Sequence, residues 1–309
     1  MASKKSSVNS RPNVIAIVGP TGSGKTAMAV ALVRHFGGVV ISADSRQLYR
    51  GMDIGTAKAT KTEQRAAKHY LIDVINPSQR YSAGRFQRET YQLVKKLYAK
   101  KPAQPIFVVG GTYLYVDAVL KGLDFAETAR SPKIRARLEK LTLKQLQREL
   151  RKRDPVTARS IDMFNRRRLV RALEVVLITG ESFYKTRAAT PPAWNILWLG
   201  MQVPQKTLDH NNAKRIDRMF RAGWVNEVKR LRKKYPRSAP GFLAHGYREV
   251  LDYIEGSATF AQTKQKIAIN TRHHTKRQMS WFKKNQAITW LRPTASRRAM
   301  RFVSRFVSQ

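Results

Sequence analysis

Gly19, Pro20, Thr21, Gly22, Ser23, Gly24, Lys25 and Thr26 form an unbroken GxxxxGK[ST] run, the P-loop pattern. Its glycines let successive backbone N–H groups converge on phosphate oxygens, and the helix that follows presents its positive end to the same point. Lys25 adds a point charge and Thr26 a hydroxyl suited to Mg²⁺. Such a loop measures phosphates, not nucleosides. It fits the β/γ end of ATP or any diphosphate of similar shape. Many NTPases place an aspartate at the end of a buried strand to organise Mg²⁺. Here the corresponding run, PIFVVGG, ends in Gly110 and Gly111, which counts against an ATP-driven motor, although some small-molecule kinases also lack that aspartate.

The loop must be held by a strand before it and a helix after it. Val14–Val18 is a continuous apolar run, as expected of a strand covered on both faces, and Lys25 to Phe36 reads as a helix. Val39–Ile41 predicts a second strand, Tyr70–Val74 a third and Ile106–Val109 a fourth, with helical periodicity through Phe86, Tyr91, Val94 and Leu97 between the last two. Strands alternating with helices predict an α/β protein with a P-loop NTPase-like parallel sheet. Parallel strands deliver their C-terminal loops to one edge. The P-loop, SADSRQLY and GGTYLY are therefore expected to meet. Asp44 would face the phosphate site as a metal holder or a base, or else cap its own turn. Ser42, Ser45 and Gln47 are placed to bond a flat polar substrate, and Thr112 to donate to a phosphate oxygen.

From about Gly122 the character changes to basic helices with no strand between them, which predicts a helical insertion over residues 122–190. Within it Leu169, Leu173, Val176 and Leu177 are expected on one face, beside Arg167, Arg168 and Arg171. The α/β core is then 13–121 and 191–292, re-entered by a strand at Asn195–Val203, with helices at 212–235 and 261–284 and a last strand in AITWL. Residues 1–12 read as a disordered basic tail. Residues 293–309 read as a basic C-terminal tail, either a short amphipathic helix on RNA or a frayed end, the second being favoured.

The 309 residues carry 60 Lys and Arg against 20 Asp and Glu, a formal charge of +40. Solvated surface alone scatters both signs, so this excess points to a polyanionic partner, most simply RNA or DNA, unless the whole proteome of the source is cationic. The chain has no cysteine, which excludes disulfides and thiolate metal sites and fits a reducing cytoplasm. The polar, basic N-terminus is not a secretory signal, and no apolar run reaches membrane-span length. A cytoplasmic monomer is expected. His273 and His274 are adjacent and point apart on a helix, so no zinc site is predicted, and His69 reads as structural.

GPTGSGKT, ISADSRQLYRGMDIGTAK, VVGGTYLY, NRRRLVRALEV, HGYRE and TKRQMSWF occur in an order that resembles the tRNA dimethylallyltransferases, over roughly residues 13–292. The DSxQxYxGMDIGTAK run with GGTxLY is far more specific than the P-loop. The resemblance implies that the loop holds the pyrophosphate of dimethylallyl diphosphate, not an NTP for turnover. It implies transfer of the prenyl group to N6 of the adenine 3′ of the anticodon, with Mg²⁺ on Thr26 and Lys25, Thr26 and Thr112 stabilising the leaving pyrophosphate. Asp44 would be the base. Arg215 would lie near the diphosphate. Asp44, Ser45, Gln47, Thr112, Arg135, Arg167, Arg168, Arg171, His245, Tyr247, Arg248, Arg272, Lys276 and Arg277 would face tRNA, with Gly246 and Gln278 in the same segments. The chain departs from the family in NNAKRIDRM, with asparagine where an arginine is usual, and at Phe164; both bear on tRNA docking and not on the reaction. Two rival readings remain at this level. One is a P-loop kinase of a nucleoside or small metabolite, with Asp44 as its base. The other is an RNA-binding protein whose P-loop is a switch or relic.

Overall fold

The computed structural model describes residues 11–125, 131–184 and 189–309. The predicted N-terminal tail therefore lies outside the described residues apart from Arg11 and Pro12. The chain divides into two compact units, Met1–Leu120 with Ala193–Gln309, and Lys121–Pro192. Along the first unit run β1 (Asn13–Val18), α1 (Lys25–Phe36), β2 (Val39–Ser42), α2 (Lys61–Ala66), β3 (His69–Tyr70), α3 (Ala83–Lys100), β4 (Ile106–Gly110) and α4 (Tyr113–Leu120). The second unit contributes α5 (Pro132–Glu139), α6 (Leu143–Arg153), α7 (Pro155–Ser160) and α8 (Arg166–Thr179). The first unit resumes with β5 (Asn195–Met201), α9 (Gln205–Arg221), α10 (Trp224–Lys234), a 3₁₀ turn (Pro240–Leu243), α11 (Tyr247–Ile254), α12 (Phe260–Phe282), β6 (Thr289–Leu291) and α13 (Ser296–Val307).

The six strands form one parallel sheet in the order β3-β2-β4-β1-β5-β6. All of β1, β2 and β4 is buried, which is why these strands read as apolar runs without alternation. Ile15, Ile17, Phe107, Val109, Leu199 and Met201 pack with Met28, Leu32 and Val33 of α1 on one face. β1 sits between β4 and β5, with Val14 opposite Ile106 and Asn13 opposite Asn195. The loops after β1, β2 and β4 therefore emerge side by side at one edge.

Four elements differ from the sequence expectation. The third strand is only His69–Tyr70, because Leu71 and Asp73 take positive φ (57° and 54°) and the following backbone bonds the Gln47–Leu48 segment. Lys58 Nζ fixes that turn by donating to Asp73 Oδ1 and Asp53 Oδ1, both at 2.6 Å. The helix expected at 212–235 is two helices, split where Gly223 adopts φ 92°, a conformation open to glycine at little cost. The first of them starts early, at Gln205 after Pro204, because QKTLDHNN has too few apolar residues to show its period. Residues 296–307 are not a frayed end but a helix, α13, whose Ala299 and Val303 join the core.

In the second unit, Leu138, Leu146, Leu150, Leu169, Val170, Ala172 and Leu173 form the core. The buried stripe of α8 is rotated from the predicted one: Val170, Ala172 and Val175 are inside and Leu177 is exposed. Asp154 caps α7 by accepting from Thr157 N, and also takes Ser182 Oγ and Phe183 N, tying the chain after α8 back to α7.

The GMDIGT turn of the first unit is held by one buried carboxylate. Glu227 on α10 accepts from the N–H groups of Asp53 (2.9 Å), Ile54 (2.8 Å) and Gly55 (3.3 Å) and from the Tyr247 hydroxyl (2.6 Å), and it is 3% exposed. Replacing it leaves four donors without their acceptor, of which the Tyr247 hydroxyl is fully buried. Glu227→Ala is expected to lower unfolding free energy by roughly 3 kcal/mol or more, read by chemical denaturation. Stability within about 0.5 kcal/mol of the parent, the ordinary scatter of neutral surface changes, would contradict this assignment.

Candidate active site

At the sheet edge Gly24 takes a left-handed conformation (φ 86°) and caps α1, so Lys25 and Thr26 open the helix. The first N–H groups of a helix have no intrahelical partner and point outward here, at the mouth of the loop. Lys25 Nζ donates to Pro20 O at 2.7 Å. The Thr21 peptide is clamped from both sides: its N–H donates to Gln278 Oε1 (2.9 Å), and its carbonyl accepts from Asn212 Nδ2 (3.4 Å). Gly22 must be glycine, since φ is +81° and a Cβ would lie 2.5 Å from Asn212 Oδ1.

The loops after β2 and β4 are joined directly. Ala43 N donates to Val109 O at 2.8 Å and Thr112 N to Ala43 O at 3.2 Å. Thr112 Oγ1 accepts from Ser45 N (3.0 Å) and donates to Ser45 Oγ (3.3 Å). Gln278 links this pair to the P-loop, because its Nε2 donates to Gly111 O at 2.8 Å. It is 2% exposed, on the buried face of α12. Trp281, three residues on, pins the same helix to α4 by donating to Asp117 Oδ2 (2.7 Å) and stacking on Tyr113.

The two Asp44 oxygens differ in their surroundings. Its Oδ1 accepts from Arg46 N at 2.8 Å, a turn cap, and its Oδ2 has no hydrogen-bond partner among the described residues. The carboxylate lies within electrostatic reach of Lys25 and of Arg215, which α9 delivers one turn after Asn212. Burial lowers the Lys25 pKa to about 8, with Asp44 opposing that shift and Arg215 adding to it. Burial likewise works against the Arg215 charge, which Asp44 supports. His245 and His274 stand 4.7 Å apart, centroid to centroid. Loss of water lowers both pKa values, that of His274 to about 3; Arg46 and Arg277 lower both further, Glu249 and Asp44 pull His245 up, and the two imidazoles are neutral at pH 7.

The remaining candidates divide by what they touch. Gln47 is engaged at both ends of its amide, with Ser42 Oγ and Ala57 O. Arg248, Lys276 and Arg277 are exposed, and Arg272 pairs with Asp209 at 3.3 Å. In the helical unit Arg167 and Arg168 are exposed, whereas Arg135 and Arg171 share the buried carboxylate of Glu174 (3.4 and 2.9 Å). Tyr247 does not face a ligand: it is fully buried and its hydroxyl is spent on Glu227, so its expected contact with RNA is withdrawn. Sequence reasoning gave Gln278 and Asn212 no part in the phosphate site. The available signal was a polar residue in the apolar register of each helix: Gln278 alternates with Ile267, Thr275 and Phe282, and Asn212 with Leu208, Ile216 and Met219.

The family model described as IPP transferase matches residues 47–285. A tRNA dimethylallyltransferase of Thermomicrobium roseum is 39% identical over 288 residues, spanning 92% of this chain and 87% of that protein. A Bacillus halodurans structure, described as a tRNA isopentenylpyrophosphate transferase, superposes with a TM-score of 0.73 at 32% identity, covering 96% of this chain and 97% of that one. A eukaryotic dimethylallyltransferase described as acting on tRNA gives a TM-score of 0.84 at 25% identity, over 96% of this chain and 80% of that one. The match to more than half of the chain, together with these relatives, places the protein in the IPP transferase family.

Proposed function

We propose that this protein is a tRNA dimethylallyltransferase that moves the dimethylallyl group of dimethylallyl diphosphate to N6 of the adenine 3′ of the anticodon, releasing pyrophosphate. One observation carries the reading: the unpartnered Oδ2 of Asp44 stands across from a phosphate cradle built of Lys25, Arg215 and the α1 N-terminus. A kinase has less support, because β4 ends in Gly110–Gly111 with no carboxylate to organise ATP-bound metal.

In the reaction the C1–O bond of the allylic diphosphate breaks and its electron pair leaves with pyrophosphate. The N6 lone pair forms the new C–N bond, and the N6 proton passes to Asp44 Oδ2. Backbone amides of the loop, Lys25, Arg215 and the Thr112 hydroxyl stabilise the charge that grows on the leaving group. Before substrate arrives Thr112 is held by Ser45 and spends its proton on Ser45 Oγ, so on binding that proton turns to the leaving group while Ser45 N–H keeps the oxygen in place. The adenine amine is a poor nucleophile, because its lone pair is conjugated into the ring, and a positioned base offsets this. A stacked base does not reach a recessed edge, so the adenine is flipped out. Thr26 Oγ1 is a hard oxygen donor at the head of α1, which suits Mg²⁺. With so few protein ligands, diphosphate oxygens and water would complete the shell. When bound, Mg²⁺ would neutralise part of the pyrophosphate charge. Exposed Arg167, Arg168, Arg248, Lys276 and Arg277 grip RNA phosphates and bases, while Arg135 and Arg171 act while paired to Glu174. The enzyme works as a cytoplasmic monomer.

The test is mass analysis of nucleosides after incubation with unmodified tRNA, Mg²⁺ and dimethylallyl diphosphate without ATP. N6-prenyladenosine is the expected product; its absence across competent tRNAs, with ATP consumed instead when supplied, favours the kinase. Asp44→Ala is expected to cut kcat by at least 10²-fold, within the usual range for a lost acid–base group, with tRNA affinity changed less than about threefold. Loss of tRNA binding alone would remove Asp44 from the role of base. Because Lys25 loses its charge around pH 8 before ligand binds, affinity for a non-hydrolysable prenyl thiodiphosphate should fall about twofold from pH 7 to 8 and about tenfold by pH 9. Lys25→Met should bind weakly and without that slope; a parent profile flat to pH 10 contradicts the assignment. Gln278→Leu, which releases Thr21 and Gly111 together, should raise KM for the prenyl diphosphate about tenfold while leaving tRNA affinity within twofold. An unchanged KM in a variant that folds would deny it a positioning role.

A further inference from the structure

The C-terminal helix α13 is not used by the chemistry above, and its exposed side is strongly basic. No acidic residue occurs in α13 or in α1, against which it packs. Ala299 and Val303 are fully buried, and Met300, Phe302, Phe306 and Val307 are half-buried against the sheet face that α1 covers. Arg297, Arg301 and Arg305 are exposed and fall at i, i+4 and i+8. They form a ridge with about 6 Å between steps, on the side opposite the buried pair. Arg298 is exposed beside them, over the Phe302 ring. None of the four has a carboxylate partner among the described residues.

The ridge also has a direction. Pro293, which leads into α13, has its Cβ 3.9 Å from where a Cβ on Gly24 would sit, so the helix starts beside the phosphate cradle. The 12-residue helix is ~18 Å long, and the ridge covers ~12 Å of it. A basic amphipathic helix can also lie on an anionic membrane, but that requires a free apolar face, and the apolar face of α13 is already spent on the core.

We propose that the α13 ridge is a second RNA-binding surface. It holds the phosphate backbone of the tRNA beyond the anticodon loop, while the cradle edge handles the reacting adenine. This rests on the tRNA reading above. The surface reads no sequence; its contribution is electrostatic, through counterions released when arginines replace them on phosphates.

The experiment compares the parent, R297Q/R301Q/R305Q, and a charge-matched control, K95Q/K96Q/K100Q, whose exposed lysines lie on α3. Each is titrated with full-length tRNA and with an isolated anticodon stem-loop across a salt series, and prenylation is followed in parallel. The arginine variant should bind full-length tRNA about tenfold more weakly, with a log–log salt slope shallower by about 2, and bind the stem-loop as the parent does. The control should lose less than threefold on either RNA. Equal losses in both variants, or an unchanged slope in the arginine variant, would overturn the proposal. So would a loss confined to vesicles of phosphatidylcholine and phosphatidylserine, titrated alongside the two RNAs. If the parent itself neither binds nor prenylates tRNA, the functional reading fails instead, and the two failures are thereby told apart.

Discussion

Asp44 is a carboxylate set in a field of positive charge, and the architecture around the sheet edge serves that juxtaposition. Lys25 and Arg215 act on it directly, with Arg46 on its own loop. Burial works against the charge of both cations, and for Lys25 repulsion from Arg215 adds a smaller share. The diphosphate of the proposed reaction would relieve that repulsion on binding, and Asp44 offsets it in the protein itself. The same carboxylate retains an oxygen with no hydrogen-bond partner among the described residues, so under the proposed reaction one residue would give both electrostatic support and proton acceptance.

Holding such a cluster requires that the loops carrying it not drift. The sheet sets β1, β2 and β4 in register, but register alone does not fix loop peptides. Two buried amides do so. Gln278 ties Thr21 to Gly111, and Asn212 takes the other side of the Thr21 peptide. Both sit on helices that also carry cationic residues, Arg215 on α9 and Lys276 and Arg277 on α12. Behind them, Glu227 gathers the GMDIGT turn and Tyr247 into a single node. The helices that bring positive charge to the edge are thus the ones that shape the cradle.

Much of this was legible in the sequence. A P-loop between an apolar run and a helix, and three strand ends bearing GPTGSGKT, SADSRQLY and GGTYLY, are local patterns, and parallel topology converts them into one edge. What escaped is what depends on tertiary partners. The chain leaves the strand after Tyr70 because Lys58 and the Gln47 segment capture Asp73, which no local propensity reveals. Tyr247 sits in a motif associated with RNA, yet its hydroxyl belongs to a glutamate twenty positions away in sequence. Residues 296–307 look like a frayed tail by composition and become a helix because α1 leaves an apolar surface for Ala299 and Val303. Gln278 and Asn212 were visible only as polar residues in apolar registers, a signal that says buried and bonded without saying to what.

The most direct test is a crystal structure of the protein with dimethylallyl thiodiphosphate and Mg²⁺. The account predicts the diphosphate oxygens on the backbone N–H groups of Gly22 to Thr26, with Lys25 turned onto them and the allyl C1 carbon opening toward Asp44. A diphosphate bound elsewhere, or an allyl chain pointing away from Asp44, would contradict it.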